Sequence, residues 1–329
     1  MYPPNYSAKD TAITQRPPSS ALLCIDAADR FKTVAESRLD DSAGSEPYNA
    51  SAYDFTINKR ESIMNGFFTR VGVSEVVFPW IIPNVNGTNN SITFTYSVGG
   101  VAAASVRTLD TGFYTPAALA ARLQAIIRAI DPPNLGAFTM TYGVQTLGVS
   151  ATVNRPIFEF KTNAAGVDVA FSPISPAEPQ RKQLFDLLGF SLVNQTLIDE
   201  GFGTDTFCQA TRYVDIVCSA ITNNQALKDT MTQVIARDAL CRVYVGDSAG
   251  VQSTIQPSSA TFCPPGCAPT TIYKNFSVPK YIQWLPNQPV PGSLRFEVFD
   301  DAGFNLGLMA QDGVGVGQDW SMTMLVSEN

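Results

Sequence analysis

Histidine is absent from all 329 residues. Imidazole is the usual general base near neutral pH and the commonest metal ligand. Its absence excludes Ser-His-Asp and Cys-His nucleophiles and most catalytic zinc sites. Charge is also scarce. Asp, Glu, Lys and Arg make up 16% of the chain, against about 25% in an ordinary soluble domain. So few ions leave a bland exterior that other subunits can cover, although a large core dilutes charge as well.

What charge there is leans acidic, with 29 carboxylates against 22 cations and a net charge of −7. The most basic stretches, Asn58-Lys59-Arg60 and Arg181-Lys182, are too small for a nucleic-acid face, which needs clustered Lys and Arg. No apolar run approaches the ~18 residues of a membrane span, and the best, Val71 to Ile82, is interrupted by Glu75 and Pro79. Met1-Tyr2-Pro3-Pro4-Asn5-Tyr6 has neither the basic nor the apolar region of a signal peptide.

Chemical fingerprints are missing too. No Gly-rich loop ends in the Lys-Ser/Thr pair that cradles phosphate, and Gly313 to Gly317 reads as a turn. Adjacent acids occur at Asp40-Asp41, Asp199-Glu200 and Asp300-Asp301, without the spacing of a calcium loop. Asp300-Asp301-Ala302-Gly303 reads as a hairpin turn. The expectation is no catalytic residue, no cofactor and no enzyme activity.

Six cysteines stand at positions 24, 208, 218, 241, 263 and 267. Without a secretory signal they are expected to be reduced thiols. Cys263-Pro-Pro-Gly-Cys267 is the one suggestive pair. It fits half a metal site, with Cys208 and Cys218 as completers, or a loop disulfide. Two thiols in a Pro/Gly turn is the plainer reading.

Turning to what is present, residues 1–20 are rich in Pro, Ser, Thr and Tyr without periodicity. They read as a flexible arm that orders on a partner, with Tyr2, Tyr6 and Arg16 as candidate contacts. Period-two alternation predicts strands at Tyr53–Asn58 and Ser91–Ser97, and β-branched content predicts one across Phe67–Ile82, with Gly72 at a bulge and Pro79 at an exit near an edge. Val101–Leu109 is the hairpin partner of Ser91–Ser97 across Gly99-Gly100. One helix stands out. Thr115 caps it, Pro116 opens it, Leu119, Leu123, Ile126, Ile127 and Ile130 form its apolar stripe, and Asp131-Pro-Pro133 stops it. Shorter helical turns are expected at Gln183–Leu188, capped by Gly189, and around Asn224–Thr232.

Strands prevail elsewhere, and Trp80, Trp284 and Trp320 fall in or at the ends of them, as core fillers or subunit contacts. Many short strands between Pro/Gly turns indicate a sandwich or barrel. The fold class expected is all-β dominated: a β-sandwich with a few helices in long connecting loops, over residues 21–329.

The order of segments resembles the vertex (penton) or minor capsid proteins of icosahedral double-stranded DNA viruses, the group of virophages, polinton-like viruses and nucleocytoplasmic large DNA viruses. The pieces run from Cys24-Ile-Asp-Ala-Ala-Asp-Arg30 and Tyr53-Asp-Phe-Thr-Ile57 through Val71 to Asn84 and Leu109-Asp-Thr-Gly-Phe-Tyr-Thr-Pro-Ala-Ala-Leu119. They continue with Phe158-Glu-Phe160, Leu187-Leu-Gly-Phe190, Tyr213-Val-Asp-Ile-Val-Cys-Ser219 and Leu294 to Gly303, and close on Asp319-Trp-Ser321. The resemblance implies a jelly-roll sandwich, a homopentamer at fivefold vertices of the virion, and neighbouring major and minor capsid proteins as partners. It transfers no catalytic residue. The stretch from Gly246 to Pro269 matches no piece and is expected to be a surface insertion. A viral spike, fibre or lectin-like receptor-binding sandwich is the alternative, and a His-free enzyme with two carboxylates in a cleft is the next.

Overall fold

A computed structural model describes residues 20–31, 51–58, 68–87, 89–146, 154–173, 183–190, 192–204, 206, 208–222, 239–246, 267–283, 292–308 and 317–327. Asp40-Asp41, Trp284 and the helical turn expected at Asn224–Thr232 lie outside these residues. In chain order the strands are β1 (Ser20–Asp26), β2 (Asp54–Asn58), β3 (Arg70–Trp80), β4 (Ser91–Val98), β5 (Val101–Thr108), β6 (Thr139–Thr146), β7 (Asn154–Lys161) and β8 (Val167–Ser172). There follow β9 (Glu200–Phe202), β10 (Tyr213–Val217), β11 (Ala239–Tyr244), β12 (Thr270–Asn275), β13 (Tyr281–Gln283), β14 (Ser293–Asp300) and β15 (Ser321–Ser327). Helices are α1 (Pro116–Arg128), α2 (Pro132–Leu135), α3 (Leu184–Leu187) and α4 (Ser219–Thr222).

Two antiparallel sheets face each other. One runs β1-β15-β3-β12, with β13 also paired to β3; the other runs β11-β10-β14-β2. Setting β13 aside and numbering these eight strands by chain order, the sheets read 1-8-3-6 and 2-7-4-5. That interleaving is the jelly roll, in which paired Greek keys fold a long hairpin over on itself. Alternation along the strands sends Leu23, Ile25, Val76, Phe78, Phe296, Val298, Met322 and Met324 into the space between the sheets. Trp80 and Trp320 are both buried there, and the Trp320 indole donates to the Ala52 carbonyl at 2.6 Å.

The long apolar strand differs from expectation in two respects. β3 is a central strand, and the register shift falls opposite Thr323/Met324, beyond Gly72. Pro79 is tolerated because the pairing with β15 ends at Val77, so its missing N–H interrupts no ladder on that side.

The largest connection, between β3 and β10, is a folded unit rather than a loop. It holds two three-stranded sheets, β5-β4-β8 and β6-β7-β9, and α1. Its own core gathers Phe94, Leu119, Leu123, Ile127, Phe138, Phe158, Phe160, Phe171 and Phe190. The Phe160 ring meets Phe171 edge-on at 5.0 Å and Phe190 at 5.9 Å. Helix α1 forms as its sequence dictates: Thr115 Oγ1 accepts the Ala118 N–H at 3.2 Å, and Leu119, Leu123 and Ile127 point inward. At the β4–β5 turn Gly99 and Gly100 have φ of 57° and 85°, the paired positive values that a tight hairpin needs.

Candidate functional site

The two outward faces of the jelly roll carry different chemistry. On the β1-β15-β3-β12 sheet, register places Leu22 beside Leu325, Leu325 beside Gly72, and Gly72 beside Tyr281. This apolar row crosses the sheet, with Leu22 63% and Tyr281 41% exposed. A Cβ at Gly72 would stand 2.9 Å from Tyr281 Cδ1, so the ring lies against bare backbone. The next row reads Cys24, Thr323, Glu75, Asn275. Its one carboxylate is engaged, because Glu75 accepts the Tyr273 hydroxyl at 3.0 Å and the Thr323 hydroxyl at 2.9 Å. Beyond it, Val77 and Tyr273 continue the apolar surface.

The opposite sheet presents ion pairs instead. Arg242 makes a two-point contact with the buried Asp215 carboxylate at 2.7 and 2.9 Å, and its guanidinium lies 3.9 Å from the Tyr213 ring centroid. The Asp215 bond holds the Arg242 pKa above its ordinary value. Arg295 binds Asp54 at 2.9 and 3.0 Å and reaches Glu297 at 3.2 Å, while Asn305 bridges the same two acids. The ions described on this face are engaged within it, whereas the apolar row of the other sheet has one cation beside it, Arg70, whose guanidinium lies 5.9 Å from the Tyr281 ring centroid.

A second exposed apolar element is β5. Its register with β4 is continuous over all eight pairs, it forms one edge of its sheet, and Val101 and Val106 are both exposed. Over Val101–Val106 it carries none of the Lys, Pro or bulge by which edges are usually blunted.

The neck between the jelly roll and the inserted unit is tied by a buried amide side chain. Asn84 is buried; its Nδ2 donates to the Tyr114 carbonyl at 2.8 Å and the Cys208 carbonyl at 2.9 Å, and its Oδ1 accepts the Tyr114 N–H at 2.9 Å. Asn89 in turn donates to the Asn84 carbonyl at 2.8 Å. The Asn-rich run Asn84-Val-Asn86 to Asn89 was the available signal, since only a full set of partners permits such burial.

The cysteines separate. Cys208 and Cys267 meet at this neck, with the Cys267 thiol 3.8 Å from the Cys208 carbonyl. Burial first, and the neighbouring Cys267 second, push the Cys208 thiol well up from its ordinary value. Cys218 lies in the other core, away from both. Cys263 lies outside the described residues, as do Tyr2, Tyr6 and Arg16 of the arm and most of Gly246–Pro269. Among the described residues no group of three or more Cys, Asp or Glu is arranged to hold a metal ion. No helix among them is long and apolar enough to cross a membrane.

The sequence matches no protein-family model and no curated protein. Among solved structures it is similar to the mavirus penton protein, with a TM-score of 0.48 and 10% identity over 94% of this chain and 99% of that one.

Proposed function

We propose that this chain is a structural protein of an icosahedral virus shell and forms its pentameric vertex through contacts between subunits, without catalysis. Fold alone does not carry this reading. The observation that carries it is the asymmetry between the two outward faces: one engages its ions in contacts within the face, and the other offers an apolar row across four strands. A closed ring of identical subunits needs flanks that pack without stranding unpaired charges. The segment order that resembles vertex proteins supports the same reading, as does the low charge. In this reading the arm, with Tyr2, Tyr6 and Arg16, reaches adjoining capsid proteins in the virion.

Native mass spectrometry of the full chain tests it. A five-subunit assembly is expected, weakened when Leu22→Arg sets a charge in the apolar row. A wild-type chain that stays monomeric at high concentration, or that turns over a small molecule, overturns the proposal.

A further inference from the structure

Between the facing edges of the two jelly-roll sheets, β11 on one side and β12 on the other, opens a slot of about 310 Å³. Val73, Leu240 and Phe276 give it apolar walls, and Lys274 and Lys280 bring two cations to it, the third basic residue of the lining, Arg242, being held by Asp215. Among the described residues its lining contains no carboxylate, in a chain whose net charge is −7. The cations are placed for contact along apolar surface: the Lys274 ammonium lies 5.9 Å from the Phe276 ring centroid, and the Lys280 ammonium 3.5 Å from the Ala239 carbonyl. Among the described residues β11 pairs only with β10, and β12 only with β3. The slot therefore suits an extended segment that offers an apolar side chain beside carboxylates.

One exposed segment of this same chain has that chemistry. Leu197 and Phe202 are both exposed large apolar side chains, and they flank the exposed Asp199 and Glu200. Glu200 to Phe202 is β9, the edge strand of the β6-β7-β9 sheet. Glu200 shares the half-exposed Lys161 with Glu159, at 3.0 and 3.1 Å. Pairs this accessible to water are weakly held, so the carboxylate can turn to a partner. Slot and segment belong to different parts of the fold, one on the jelly roll and one on the inserted unit. A contact between them in two copies is head-to-tail, the kind that closes rings.

We propose that the Leu197–Phe202 segment of one subunit docks into the β11/β12 slot of the next, Phe202 entering the apolar floor and Asp199 and Glu200 facing Lys274 and Lys280. The proposal rests on the vertex reading and adds to the ring a contact beside the apolar row. Matched charges steer the encounter and make it sensitive to salt.

The test is charge reversal in the full chain, read by native mass spectrometry and thermal melting. Lys274→Glu with Lys280→Glu should leave the melt unchanged and weaken ring formation by roughly ten-fold or more at low salt. Adding Asp199→Lys and Glu200→Lys to that variant should restore the ring. Phe202→Ser, which keeps every charge, should also weaken it. Rings that persist in the Lys274/Lys280 variant, or a folded four-residue swap that fails to recover them, overturn the slot assignment and leave the vertex reading standing. A wild-type chain that never forms a ring sinks both.

Discussion

The jelly roll and the inserted unit bury similar residues but assemble them over different distances along the chain. The jelly roll pairs β1 with β15, joining Ser20 to Ser327, and β2 with β14. The inserted unit pairs the sequence neighbours β4 with β5 and β6 with β7, and completes its sheets with β8 and β9 from within the same connection. Closing long loops costs entropy before any contact repays it, so non-local sheets form slowly. The inserted unit can therefore collapse on its aromatic cluster while the two ends of the jelly roll are still apart.

Truncating one large side chain in each core gives the sharpest test of that contrast. Trp320→Ala removes a buried indole together with its bond to Ala52, and Phe160→Ala opens the aromatic cluster. Each should cost about 3–5 kcal/mol. If the cores are distinct cooperative units, denaturant unfolding followed by far-UV and near-UV signals splits into two transitions, and each variant lowers its own. A single transition shifted equally by both would erase the comparison.

A smaller effect comes from pH. Burial, the largest cause, raises the Cys218 thiol from 9.0 to about 11 in the jelly-roll core, with nearby Glu297 adding to it against backbone N–H bonds that lower it. The folded thiol stays protonated while the unfolded one ionises, so its contribution is complete below pH 9.0 and is lost as pH rises towards about 11. Across that window roughly 2–3 kcal/mol of stability attributable to this group should disappear. Urea midpoints measured over the window should fall less for Cys218→Ala than for the wild type. Parallel curves would mean that the thiol is solvated.

The smallest change touches only the inserted unit. Thr115→Ala deletes the side-chain cap of α1 and should cost about 1 kcal/mol. Calorimetry should show it in the transition that Phe160→Ala moves and in no other. An equal loss in the Trp320-dependent transition would tie the two cores into one cooperative block.

Local features were legible because their causes are local. Thr115-Pro116, the stripe Leu119–Leu123–Ile127, the glycines at 99–100 and the alternation of Ser91–Ser97 each carry their own instruction, and each took the form expected. β9 was missed, since three residues around a buried glycine show no period. The strands of the inserted unit were legible one by one, but that they close on a second core was not, because its aromatics are spread over separate segments. The outward rows were invisible. Leu22, Leu325, Gly72 and Tyr281 are neighbours only through register, and no spacing along the chain joins them.

By itself the sequence determined the chemical character of this protein: no imidazole, little charge, and strands cut at regular intervals by proline and glycine. Backbone preference and side-chain hydrophobicity act over a few residues, so a string of letters suffices to read them. Tertiary structure alone decided which apolar positions vanish into two cores and which line up on one outward face. Strand order and register are set by loop closure and packing across the whole chain, and those are properties of the folded molecule rather than of any segment.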